Sequence, residues 1–274
     1  MTPSIGDLLD FIDQMAPFAL AEAWDNSGLQ IGNRQWPGSK ILVALDVTPA
    51  VLAEAVSWGA DLVLTHHPLI MNPLTSIDFS SIPGSIISLC ACHRISVVSV
   101  HTNLDKANPG LNDYFIHKIG LVSVGSLEPL IPEKQMTFAG TGRIFTLQNP
   151  CTLRSLSDQV CSSLHISGVR CVGDMDMMVE RVAVCTGSGG SLVRTFLESG
   201  ADVFITGDVK YHEARDAEQA GAGLLDVGHF ASERMVVDLF YERFTQWAQS
   251  SKVEIKVRVF DGESDPFRIV GIRY

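Results

Sequence analysis

Thiol pairs are missing from this sequence. Its six cysteines, Cys90, Cys92, Cys151, Cys161, Cys171 and Cys185, form no Cys-x-x-Cys pair and no zinc-finger spacing. That excludes a thiolate zinc module and leaves reduced, mostly buried thiols as the expectation. Long apolar runs are missing too. The most apolar stretch, residues 86–100, contains His93 and Arg94, and no segment reaches the roughly 18 apolar residues of a membrane helix. Basic residues are scarce, 20 Lys+Arg against 31 Asp+Glu for a formal charge of −11. Such a charge opposes both nucleic acid and anionic membranes, so neither is an expected partner. A phosphate-bearing substrate would need a local cation, such as a metal or an Arg cluster. The first residues carry Asp7, Asp10 and Asp13 where a secretory leader is basic, and Pro17 interrupts the apolar stretch. A cytoplasmic location is therefore the expectation. There is no Gly-x-Gly-x-x-Gly, no Walker loop and no recognisable triad context around Ser99 or Cys185.

What is present is ordinary globular composition. The 274 residues are 46% hydrophobic and 19% charged, enough for one large or two modest domains without staples. Residues 4–18 have Ile5, Leu8, Leu9, Ile12 and Met15 at helical spacing, with Ser4 as the N-cap. Residues 41–47 (ILVALDV) read as a buried strand, and Thr48-Pro49 opens a helix that Gly59 ends. Strands at 61–65 and 95–100 flank a helix at 84–93. This alternation predicts an α/β fold.

The second half repeats the grammar. Strands are expected at 181–187, 201–208 and 224–229, with a turn and helix at 188–200. Gly-Ala-Asp at 59–61 recurs at 200–202, which sets Thr65 against Thr206 and His66-His67 against Gly207-Asp208. His101-Thr-Asn-Leu-Asp105 answers His229-Phe-Ala-Ser-Glu233. The pattern predicts two related α/β domains, residues 1–126 and 127–274, from an internal duplication. The less regular stretch from about 126 to 180 is expected to hold joining strands, and no low-complexity linker marks the boundary.

The chemistry-bearing residues follow strands, where α/β sheets bind ligands. His66 and His67 can converge on neighbouring metal ions from a loop; two ordinary loop histidines fit equally. Asp105 falls one turn after His101 if residues 102–105 are helical, or is simply an Asx-turn or cap residue. His229 and Glu233, at i and i+4, can grip a metal; a surface histidine with a glutamate near a helix start is the plainer alternative. Together, His66, His67, Asp105, His229 and Glu233 can fill two metal positions and leave sites for water. Nitrogen and oxygen donors without thiolate admit Zn, Mn, Fe, Co or Ni. Thr186-Gly-Ser-Gly-Gly190 is either an anion cradle or a tight turn. Lys210 and His212 follow the repeat-equivalent loop, where Lys210 can hold a phosphate and His212 can donate a proton or bind substrate; a surface role is the alternative. Trp24-Asp25-Asn26-Ser27-Gly28 is a polar turn that lines a pocket or caps the fold.

With these residues in view, the chain resembles the GTP cyclohydrolase I type 2 homologs, the NGG-interacting-factor-like dinuclear metal proteins. The matching stretches are WDNSGLQIG (24–32), DLVLTHHPLI (61–70), VHTNLD (100–105), TGSGGS (186–191), FITGDVKYHEA (204–214), GHFASER (228–234) and DPF (265–267). The resemblance implies a toroidal homohexamer of two-domain α/β subunits with a dinuclear site between the domains. It places the ligands on His66, His67, Asp105, His229 and Glu233, with His101 beside the site or an occasional ligand. Longer members carry an inserted middle domain for which this chain is too short. The implied activity is hydrolysis of GTP at the purine C8 with release of formate, by ion-activated water and a second ion that stabilises charge. His101 or His212 would then shuttle protons. The contrasting reading is a non-catalytic metal-binding or scaffold protein forming a ring. Full protein-only ligation would favour that module, and open coordination positions the enzyme.

Overall fold

The computed structural model describes residues 2–121, 125–130 and 139–268. α1 (Ile5–Met15) starts at a reciprocal cap. The Asp7 amide donates to Ser4 Oγ at 3.2 Å and the Ser4 amide donates to Asp7 Oδ2 at 2.8 Å. It stops earlier than expected, because Ala16 precedes Pro17 and leaves the helical region. β1 (Gly28–Ile31) and β2 (Lys40–Ala44) follow. α2 (Pro49–Trp58) is capped by Thr48 and ended by Gly59 at φ 69°. Next come β3 (Leu62–Thr65), α3 (Gly84–His93), β4 (Ser96–Ser99), α4 (Thr102–Lys106) and α5 (Leu111–Lys118).

The short pair β5 (Glu128–Pro129) and β6 (Gly140–Thr141) precedes β7 (Arg143–Thr152), α6 (Leu153–Leu164) and β8 (Arg170–Val172). Then follow β9 (Met178–Ser188), α7 (Val193–Ser199), β10 (Val203–Gly207), α8 (Tyr211–Gln219) and β11 (Gly223–Asp226). α9 (His229–Glu233), α10 (Val236–Ser251) and β12 (Lys256–Val259) complete the order. Two helices, α9 and α10, thus follow Gly228. Met235, between them, enters the same core as Val236, Leu239 and Phe244 of α10.

The strands form two five-stranded sheets, β1-β4-β3-β2-β12 and β7-β9-β10-β11-β8. In the first, β2, β3 and β4 are mutually parallel and β1 runs antiparallel on β4. In the second, β9, β10 and β11 are mutually parallel and β8 runs antiparallel on β11. The irregular stretch therefore supplies both edge strands of the second sheet, β7 and β8; its residues 131–138 lie outside the described residues. β12 returns to pair in parallel with β2, so the end of the chain crosses the boundary near residue 126.

Strand alternation distributes the core. Ile41 and Val43 of β2, with Val182 and Val184 of β9, pack into one shared core with α1, α5, α6 and α10. Leu42 and Ala44 face α2 and α3, while Ala183 and Phe204 face α7 and α8. Both faces of each sheet are covered, which is why the central strands read as continuous apolar runs. Among the described residues no helix is long and apolar enough to cross a membrane. All six cysteines are free, but only Cys90 and Cys185 are buried; Cys92 and Cys171 are exposed and Cys151 and Cys161 half-buried. The expectation of mostly buried thiols fails because Cys151 and Cys171 lie on the edge strands β7 and β8, and Cys92 and Cys161 on helix faces not fully covered.

Candidate metal centre

The parallel strands of both sheets end at one place. Asp46 lies just beyond β2, His66 and His67 follow β3, and His101 and Asp105 follow β4. Gly187 lies near the end of β9, Asp208 follows β10, and His229 and Glu233 follow β11. Carboxyl ends of strands are where an α/β sheet presents side chains to a ligand.

Each histidine is held from behind. His66 Nδ1 donates to the Val100 carbonyl at 2.8 Å, and His67 Nδ1 to Asp46 Oδ1 at 2.8 Å. His229 Nδ1 donates to Asp208 Oδ2 at 2.7 Å, and His101 Nδ1 to Asp25 Oδ1 at 2.8 Å. With Nδ1 committed, Nε2 is the free position, and this outer shell of oxygen acceptors is the usual support of a metal-binding imidazole. The Nε2 atoms of His66, His67 and His229 converge on Glu233. Its Oε1 is 3.6 Å from His66 Nε2. Its Oε2 is 2.9 Å from His67 Nε2 and 2.8 Å from His229 Nε2. The two last rings come within 3.3 Å, Nε2 to Nε2, because both face the same oxygen.

Two buried atoms decide whether a cation fits. His66 Nε2 and Asp105 Oδ1 lie 3.7 Å apart, and among the described residues neither has a hydrogen-bond partner. Buried polar atoms left unpaired are costly, and a lone pair on nitrogen facing a carboxylate oxygen leaves a place that a cation satisfies. Donor atoms of His66, His67 and His101 lie within 4.8 Å of one another, as do those of His67, His229 and Glu233. These residues therefore fit a metal ion. His212 is not with them. It is exposed on α8 with its ring edge-on to Tyr211, and among the described residues it makes no hydrogen bond or ion pair to the cluster. Placement after a repeat-equivalent loop was the only signal for it, and that loop delivers Asp208 instead.

The electrostatics are those of a cation site. Burial opposes protonation of His67, but its hydrogen bonds and charge contacts to Asp46 and Glu233 push it up to about 10. The hydrogen bond to Glu233 pushes His229 up to about 9, against burial. Burial opposes charge on Glu233 as well, and the surrounding imidazoles still hold its carboxyl well below the usual range. Burial raises Asp105. The sign follows. With folded values above the ordinary 6.5, the two rings contribute stability that is fully present below pH 6.5 and lost as pH rises through about 9 to 10. The ion-free protein is expected to lose stability over that window. At pH 7 both rings carry protons that a metal must displace, and against the effect of burial Asp105 and Glu233 raise His66 as well, so uptake is expected to release protons and to tighten with rising pH. Calorimetry in buffers of different ionisation enthalpy reads this directly, and a proton count near zero would refute it.

Several supports were hard to see in sequence. Asp25, Asp46 and Asp208 orient His101, His67 and His229, yet each looked like a loop aspartate. Asp208 has φ 56°, a left-handed backbone that aspartate tolerates better than most residues. The glycines at the end of β9 and just beyond it make room for side chains. A Cβ on Gly187 would stand 2.1 Å from Glu233 Oε1, one on Gly189 2.2 Å from Thr206 Oγ1, and one on Gly190 2.3 Å from Glu213 Oε2. The tight-turn reading fits better, since the Thr186 and Gly187 amides already donate to Asn112 Oδ1 and Ser232 Oγ, and the Glu233 and Glu213 carboxylates lie against Gly187 and Gly190.

A cavity of ≈ 1130 Å³ opens beside the cluster, lined by His67, His229, Phe230, Phe267, Arg170 and Asp265 among others. The Arg170 guanidinium donates to Asp226 and to the Val209 carbonyl.

The sequence model of Duf34/NIF3 (NGG1p interacting factor 3) matches residues 3–266. A Clostridium perfringens protein named "GTP cyclohydrolase 1 type 2 homolog" is 33% identical over 97% of this chain and 99% of its own. A Staphylococcus aureus hypothetical protein of known crystal structure superposes with a TM-score of 0.91 at 29% identity, over 98% of this chain and 100% of that one. A Bacillus cereus protein related to NIF3 gives 0.87 at 26% identity, over 98% and 100%.

Proposed function

We propose that this chain, which belongs to the Duf34/NIF3 family, is a metal-dependent hydrolase of small molecules built on two cation positions that share Glu233. The observation that carries it is the split of one buried carboxylate. Glu233 Oε1 faces His66 Nε2, which also faces Asp105 Oδ1, while Oε2 faces His67 and His229. One position would be held by His66, Asp105 and Glu233, the other by His67, His229 and Glu233. Bound divalent ions supply Lewis acidity and a water of lowered pKa. Asp46 and Asp208 orient two of the imidazoles, and His101, fixed by Asp25, is placed to carry a proton.

The site joins the two sheets, and we read them as duplicated halves. The parallel triplet with an antiparallel neighbour on its third strand occurs in both, and Thr65 ends β3 as Thr206 nears the end of β10. Exposed Leu74, Ile77, Phe79 and Ile82 supply apolar surface for the hexameric ring that the resemblance implies. Purine ring opening with formate release is the finer reading, supported by the relatives' printed name.

The test is formate production from GTP by untagged protein, stripped and reloaded with Zn, Mn, Fe, Co or Ni. Formate with one ion, and none from Glu233→Gln, is the expected result. Bound metal without formate under every ion would remove the nucleotide assignment and favour a metal-binding module.

A further inference from the structure

Asp105 differs from the histidines around it. Each imidazole has its second nitrogen pinned by an oxygen, whereas Asp105 Oδ1 is buried with no hydrogen-bond partner among the described residues. Its carboxylate must be aimed by its backbone. The Asp105 carbonyl, in the last turn of the short α4, has no helical amide to accept from. Asn112 Nδ2 donates to it at 3.1 Å. Asn112 is fully buried, and its other side-chain atom faces the second sheet: Oδ1 accepts from the Thr186 amide at 2.9 Å. The next amide, Gly187, donates to Ser232 Oγ at 2.8 Å, and that hydroxyl donates to the His229 carbonyl at 2.8 Å. Gly187 is also the residue whose bare Cα leaves room for Glu233 Oε1.

We propose that Asn112 is a positioning residue for the metal centre, fixing Asp105 from the first sheet against the strand end that seats Glu233 and His229 in the second. A side-chain amide suits this task because it donates to a carbonyl on one side and accepts from an amide on the other. Neither an aspartate nor an apolar residue of the same size does both. The adjacent Asp113 strengthens the junction: Arg143, fully buried on β7, donates to it from Nε at 2.8 Å and Nη2 at 2.7 Å. The inference rests on the metal reading above.

The experiment titrates the stripped full chain with Co²⁺ alone, followed by calorimetry and by the visible absorption of bound Co²⁺. Asn112→Leu is expected to raise the Kd of one ion about tenfold or more, while the other moves less than about threefold. The bands lost should be those missing from Asp105→Ala. Asn112→Asp keeps the acceptor for Thr186 and loses the donor to Asp105, so it should show the same selective loss, and it serves if the leucine variant does not fold. A core variant on α6, Val160→Ala, controls for lowered Tm. Two unchanged affinities in a folded Asn112 variant would overturn the inference, as would the same selective loss in Val160→Ala. Wild-type protein that takes up no Co²⁺ would overturn the metal reading itself, and this inference with it.

Discussion

Glu233→Gln is expected to empty both metal positions at once, although it replaces one oxygen by one nitrogen. The wild-type carboxylate presents Oε1 toward His66 and Oε2 toward His67 and His229, and it is almost fully buried. A glutamine has one acceptor and one donor. If its oxygen faces His67 and His229, its amide group faces His66 Nε2 and Asp105; if it flips, the amide faces the two other rings. Either way one position meets N–H groups where it needs a lone pair, and the remaining oxygen no longer carries charge. Metal content by elemental analysis should fall from two ions per chain to a small fraction of one. His229→Ala, by contrast, should spare the position of His66 and Asp105. In the ion-free protein Glu233→Gln removes the counter-charge of two raised imidazoles, and breaking a buried pair in this way costs about 3–5 kcal/mol. Tm measured below pH 6.5, where the rings are charged in both states, should show that loss most clearly. Full metal content in Glu233→Gln would sink the shared-carboxylate reading.

The fold was legible where the physics was local. β2, β3 and β4 are covered on both faces, so short β-branched runs marked them. Ser4, Thr48 and Gly59 signalled the ends of α1 and α2 through caps that depend on neighbouring residues only. β12 has the alternation of a half-covered strand, but its pairing with β2, more than two hundred residues away, depends on no local pattern and so was not legible. The convergence of His66, His67, His101, Asp105, His229 and Glu233 was legible for one reason: they follow parallel strands, and such strands end on one side. Pairing within the cluster was not. Which imidazole meets which oxygen of Glu233 depends on side-chain directions set by Val100, Asp46 and Asp208 across the chain. The glycine run stayed open between two readings because an anion cradle and a tight turn that clears a carboxylate have the same composition.

That clearance sets the second large effect. Gly187→Ala is expected to disable the centre without altering a ligand. Gly187 has φ +67°, where an L side chain costs about 1–2 kcal/mol. Its added methyl would stand 2.1 Å from Glu233 Oε1 and 3.1 Å from Cδ, so the carboxylate must move by more than an ordinary thermal displacement. Glu233 has little freedom to move, being held by His67 and His229 on one oxygen and rooted in α9. Overpacking of this kind adds about 1–3 kcal/mol. The combined expectation is a destabilisation of about 2–5 kcal/mol, with metal content well below wild type. Gly221→Ala separates the two causes. It has nearly the same backbone, φ +69°, but nothing lies within 4 Å of its added methyl. It should pay the backbone strain alone and keep its metal. If both variants lose Tm equally and both retain metal, the glycine at 187 serves the turn and not the carboxylate. If only Gly187→Ala loses metal, the short side chain at 187 belongs to the site as surely as the ligands do.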